Sequence, residues 1–290
     1  MELNHIRPAG IGFALLTLLL LLTAAPRLRG EVKVEEGTKY MHYVEQAEEA
    51  IGKRKWPLAI AYLQEAMQSE PGNPQNILLL SNMGMLQYYN GEDSLALRTL
   101  TEARAMAPAS VVILANRAEV LTGMGRYDDA LADYTRIIGM DSTYAAAWLE
   151  RAAIELRQGK LVEAEGDIAR LRELRPGDRQ GKLMQAVVFA ATGRPDEAIT
   201  LYNDIITEKG ESVYYSARAS CYLQKSDLLS AAEDIAKGLE LDPDDGELYY
   251  CRAWLNRLRF RDEDALADAK RAIDRGVNPM RVKALFAQPR

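Results

Sequence analysis

Histidine and cysteine are nearly missing from this chain of 290 residues, which holds two of each. A zinc cluster takes four Cys or His ligands at short spacings, so none can be assembled here. His5 precedes an apolar N-terminal stretch, which leaves His42 as the only imidazole in the body of the chain. Acid–base chemistry driven by histidine therefore has little to work with. Gly-rich phosphate loops and Ser–His–Asp or Cys–His constellations are absent as well. Two acidic clusters, Asp242, Asp244, Asp245 with Glu247 and Asp262 to Asp264, lack the ligand spacing of a calcium loop and fall where helices should begin. No excess of positive charge exists either: 36 Lys and Arg face 42 Asp and Glu, for a net charge of −6. Such a balance argues against nucleic acid as a partner. With 48% hydrophobic and 27% charged residues the composition is that of an ordinary folded chain, not of a disordered or collagen-like one. The expectation is no metal, no cofactor and no catalytic residue.

Long apolar runs are confined to one place. Ile11 to Ala25 reads IGFALLTLLLLLTAA, and no residue between Pro8 and Pro26 is charged. The run has the length of a secretory core and is short for a membrane span, which needs about 20 residues. Ala24 and Ala25 offer a peptidase site, whereas Pro26, Arg27 and Arg29 beyond it favour retention. Residues 1–30 are thus read as an export signal or an N-terminal anchor with a short linker. Membrane contact follows only if the segment stays uncleaved, and either case places the body in the periplasm or cell envelope. No cysteine follows the run, since Cys221 and Cys251 are the two in the chain, which excludes a lipid anchor there.

The rest repeats. Small residues at Ala47, Gly84, Ala118, Ala152, Ala186, Ala219 and Ala253 are each followed twelve positions later by alanine, at Ala59, Ala96, Ala130, Ala164, Ala198, Ala231 and Ala265. The spacings between successive units are 37, 34, 34, 34, 33 and 34. Large apolar residues follow at Leu63, Leu100, Tyr134, Ile168, Tyr202 and Ile235, and proline closes four units at Pro71, Pro108, Pro176 and Pro243. Glycine marks the turn within a unit at Gly91, Gly125, Gly159 and Gly193, while Arg54, Ser226 and Phe260 stand there in the other three. A fixed period near 34 is the mark of stacked helical hairpins. In order and spacing the pattern resembles the tetratricopeptide repeat (TPR) family over residues 38–278. The resemblance implies an all-α fold: an α-solenoid, wound as a right-handed superhelix, of about seven hairpins filling 31–278. The units run approximately over 40–73, 77–110, 111–144, 145–178, 179–211, 212–245 and 246–278, and 279–290 forms a capping helix and tail. Asn278 as N-cap, Pro279 at the first turn and Val282, Leu285 and Phe286 on one face support that cap. Stretches such as 110–115 and 211–217 have strand-like composition, but the repeat register makes them helical.

The repeats also serve as their own comparison set. Arg117, Arg151, Arg218 and Arg252 precede the small site in four units, and sixteen residues later stand Asp133, Asp167, Asp234 and Asp268. The other three units lack both partners. Joint presence and joint absence point to structural ion pairs tying the two helices of a hairpin together, since an arginine gripping an anionic ligand needs no aspartate of its own. Cys221 and Cys251 fall on first helices of adjacent units with a stagger of about 6 Å by helix rise, which favours two separate buried thiols over a disulfide.

In TPR proteins a groove is lined by first-helix residues outside the packing set. Carried onto this chain, the analogy selects Tyr88 and Tyr89, Leu156 and Arg157, and Tyr250, Trp254 and Arg257, with Val112, Ala115, Glu119, Leu183, Val187 and Ala190 between them. Aromatic and Arg anchors are the residue types that dominate binding interfaces. The Lys and Asn that co-chaperone TPR domains use against a C-terminal carboxylate are absent from the matching positions. The expected function is a non-catalytic scaffold in the cell envelope that binds a peptide segment or helix of another protein. A structural spacer or assembly factor without a groove ligand, or an accessory factor in carbohydrate processing, is the alternative.

Overall fold

The structure, a computed structural model, describes residues 36–287. The segment read as leader or anchor therefore lies outside the described residues. Among the described residues there are fifteen α-helices and no strand, and none of the helices is long and apolar enough to cross a membrane. They are α1 (Glu36–Gly52), α2 (Trp56–Ser69), α3 (Asn76–Tyr89), α4 (Asp93–Met106), α5 (Val111–Gly123), α6 (Tyr127–Met140) and α7 (Ala145–Arg157), then α8 (Leu161–Leu174), α9 (Arg179–Ala191), α10 (Pro195–Glu208), α11 (Ser212–Gln224), α12 (Leu228–Leu241), α13 (Gly246–Leu258), α14 (Asp262–Asp274) and α15 (Pro279–Ala287). The stretches with strand-like composition form the first turns of α5 and α11, with Ser110 and Glu211 as the N-cap residues.

The chain divides into two compact units, one ending at Gln158 and the other starting at Gly159. In the first, α1 with α2, α3 with α4 and α5 with α6 form hairpins, and α7 packs on α6. In the second, α9 with α10, α11 with α12 and α13 with α14 are hairpins, flanked by α8 and α15. Each hairpin also packs on the first helix of the next one, as in an α-solenoid of TPR hairpins.

The alanine probe reports on packing. All seven alanines at the twelfth position are fully buried. Helix backbones approach closely there, so a larger side chain would force them apart. Gly84 shows how tight the opposing site is: a Cβ on it would lie 2.6 Å from Leu100 Cγ. Around these contacts the first unit buries Leu63, Leu79, Leu86, Leu114 and Ile137, and the second Tyr202, Ile205, Ile235 and Leu255.

Every hairpin turn uses one left-handed residue. It is glycine at Gly91, Gly125, Gly159 and Gly193, with φ between 73° and 82°. Arg54, Ser226 and Phe260 adopt the same region, with φ of 53°, 60° and 59°. The next residue's N–H then closes back onto the helix, from Lys55 to Ala50, Arg126 to Leu121 and Asp227 to Tyr222 at 2.8–2.9 Å, which satisfies carbonyls the ending helix leaves open. Polar side chains cap several starts: Ser110 accepts from Ile113 N, Asp178 from Gly181 N, and Asp245 from Glu247 and Leu248 N. Asn278 Oδ1 accepts from Met280 N at 2.8 Å at the head of α15.

Candidate functional site

Three of the arginines two-handedly grip their aspartates. Arg117 donates through Nε and Nη2 to Asp133 at 2.7 and 2.6 Å, Arg218 to Asp234 at 2.8 and 2.6 Å, and Arg252 to Asp268 at 2.8 and 2.7 Å. Each pair joins the first helix of a hairpin to the second, and the aspartates are buried. Arg218 also donates to Asn203 Oδ1 at 2.6 Å, and Asp268 accepts further bonds from Asn256 and Arg271. Arg151 stands in the first unit, where it donates to Thr135 Oγ1 at 3.0 Å and stacks on Trp148; Asp167 stands in the second. The bidentate pairs fix helix register within a hairpin and leave no guanidinium fork over for an anionic ligand.

Cys221 and Cys251 are both free and buried. Cys251 Sγ lies 3.2 Å from Ser220 Oγ and donates to the Ser216 carbonyl. Burial pushes the Cys221 thiol up to about 11 and that of Cys251 to about 12, so neither forms a reactive thiolate near neutral pH.

The residues expected to line a groove separate into two groups. In the first unit, Tyr88 and Tyr89 end α3, with ring centroids 6.0 Å apart, and Trp56 of α2 lies 5.6 Å from Tyr89. Tyr88 needs the glycine at the end of α5, because a Cβ on Gly123 would fall 1.9 Å from its hydroxyl. Leu156 is half-buried near the end of α7, and Arg157 beside it is exposed, with its guanidinium 5.8 Å from the Tyr127 ring. In the second unit, Tyr250 and Arg257 of α13 lie against α15. Arg281 sits 4.1 Å over the Tyr250 ring and binds both oxygens of Glu247, at 2.6 and 2.7 Å. Arg257 stacks on Phe286, and Val282 and Leu285 share one apolar cluster with Tyr250, against which Trp254 packs. Tyr250 is 8% exposed and Arg257 6%, so the chain's own last helix covers this end.

The first unit also holds polar groups that the sequence pattern did not single out. Asn82 on α3, Asn116 on α5 and Glu150 on α7 recur at a spacing of 34, each two residues before a small site. None of the residues selected by analogy for the groove stands at this position. Asn116 donates to Ser81 Oγ at 3.1 Å, which brings the facing sides of α3 and α5 together. Beside them stands Glu119, whose carboxyl burial pushes up to about 7, with Glu150 adding to the effect. Burial raises Glu150 as well. Tyr89 is raised by burial and then by the charge of Glu119.

Comparison with known proteins agrees with this architecture. A family profile described as tetratricopeptide repeat matches residues 116–179 and 163–213. The crystal structure of a tetratricopeptide repeat protein from Parabacteroides merdae superposes with a TM-score of 0.67 at 27% identity, covering 86% of this chain and 98% of that one. YrrB, described as a TPR protein with an unusual peptide-binding site, shares the fold at a TM-score of 0.51 and 18% identity, covering 65% of this chain and 98% of that one. Human DnaJ homolog subfamily C member 3 is 26% identical over 163 residues, which is 49% of this chain and 32% of that protein. The chain thus spans about a third of the length of the curated relatives it matches. TPR proteins bind other proteins, and repeat register, hairpin packing and family profile all agree: the chain is a tetratricopeptide repeat protein.

Proposed function

We propose that the chain is a non-catalytic scaffold, carried out of the cytosol by its apolar N-terminal segment, whose first-helix face binds a peptide segment or helix of another envelope protein. The observation that carries this reading is the pair of ends described above. The second unit's Tyr250, Trp254 and Arg257 are already engaged by α15, whereas in the first unit Tyr88, Tyr89 and Leu156 are only half-buried and Arg157 is exposed. Partly accessible aromatic rings and arginine on first helices are the residue types on which binding energy concentrates. A peptide-binding site described for YrrB, which shares the fold, supports the same use of this architecture.

Site-directed photocrosslinking in fractionated cells tests the reading. A benzoylphenylalanine at Leu156 should capture a discrete partner in the envelope fraction, and one at the exposed Leu229 of α12 should not. Equal capture from both positions, or none from either, would reduce the assignment to that of a spacer. Capture in the cytosolic fraction would remove the exported location.

A further inference from the structure

Among the described residues neither Glu119 nor Glu150 forms an ion pair, although both are largely withdrawn from water. The buried carboxylates Asp133, Asp234 and Asp268 are each matched by an arginine instead. Two carboxylates withdrawn from water on adjacent first helices, with the charge of Glu150 felt at Glu119, are an arrangement that folding alone penalises. The groups around them are also unfinished. Glu119 Oε1 and the Tyr89 hydroxyl are buried without a hydrogen-bond partner. Asn82, only 2% exposed and at the same register position as Glu150, has an amide Nδ2 with no acceptor. Buried polar groups are nearly always satisfied, so acceptors and a donor left open on the packed helices α3 and α5 call for a ligand bearing both.

We propose that the face formed by α3, α5 and α7 receives a peptide carrying a lysine or arginine, with the cationic head between Glu119 and Glu150 and a main-chain carbonyl on the Asn82 amide. This rests on the reading that the same face binds peptide, and names the chemistry it selects. A cation there supplies the missing countercharge for both carboxylates and a donor for Glu119 Oε1. Tyr89 and Tyr88 then flank its aliphatic stem.

The probe is a randomised peptide library displayed on phage and selected against the full chain. Peptides that depend on this face, lost with Tyr89→Ala, should be enriched in Lys or Arg at one position. Replacing that residue by norleucine or citrulline should weaken binding at least about tenfold, the scale of a lost charge-assisted hydrogen bond. Glu119→Gln with Glu150→Gln should weaken it equally while circular dichroism stays unchanged. Peptides that need Tyr89 but show no cationic preference, or bind the double Gln variant as well as the parent, would overturn the cation site and leave peptide binding standing. Selection that yields no peptide sensitive to this face would overturn both.

Discussion

Glu119 shows how one residue's environment becomes a property of the whole fold. Around it stand Tyr89 from α3, Tyr134 from α6 and Glu150 from α7, while Arg117 on its own helix is engaged by Asp133. Burial holds its carboxyl up at about 7, above the ordinary value of 4.5. A carboxyl raised in the folded state binds more protons there than in the unfolded chain between those two values. The stability it contributes is therefore present below pH 4.5 and lost as pH rises through 7, a loss of about 2–4 kcal/mol. Glu119→Gln removes the titration. Urea unfolding of the variant and the parent should give similar midpoints near pH 4.5, with the variant ahead near pH 8. A difference that does not grow with pH would mean that the carboxyl is not withdrawn from water. At the same scale, the turns show what sequence conveys and what it conceals. Four turn glycines were visible as glycines, but Arg54, Ser226 and Phe260 reach the left-handed region against their own preference. Hairpin closure imposes that conformation, because the N–H that follows must return to the helix end whichever residue stands before it. Composition at those three sites carried no such signal. The repeat register did.

At the scale of helices, three of the four expected Arg–Asp pairs, Arg117 with Asp133, Arg218 with Asp234 and Arg252 with Asp268, were legible because they come and go together across repeats. Their geometry was not legible: the two-handed grip, the third contact from Arg218 to Asn203 and the hub at Asp268 depend on side-chain directions that spacing leaves open. The α15 cap was similarly half-visible. Asn278, Pro279 and the apolar face of Val282, Leu285 and Phe286 announced a helix, yet nothing in their spacing told that Arg281 would close over Tyr250 and Glu247. Glu150, Asn82 and Asn116 escaped because they lie one position outside the set of groove positions counted by analogy. For the pair in α11 and α12, Arg218→Ala and Asp234→Ala should each cost about 2–4 kcal/mol, since each strands a partly buried partner. The double variant should cost less than the sum by about 1–3 kcal/mol. Denaturant unfolding of the four proteins checks it, and strictly additive costs would show that the pair is energetically uncoupled.

At the scale of the molecule, stability in a repeat protein is assembled from neighbours. Each of the two compact units has its own apolar clusters, and within a unit each hairpin packs chiefly on the next. The free energy is then close to a sum of hairpin and interface contributions, so a local loss should stay local. Asp268 is the place to test this, because its carboxylate holds Arg252, Asn256 and Arg271 at once. Asp268→Ala strands the Arg252 guanidinium between α13 and α14, a loss of about 3 kcal/mol, or roughly a hundredfold in opening. Hydrogen exchange followed by mass spectrometry should then speed up by that order in α13, α14 and α15. The acceleration should be smaller in α11 and α12, which touch α13, and absent in α1 to α4. Uniform acceleration across all fifteen helices would mean that the chain opens as one cooperative body, and the nearest-neighbour account of its stability would fail.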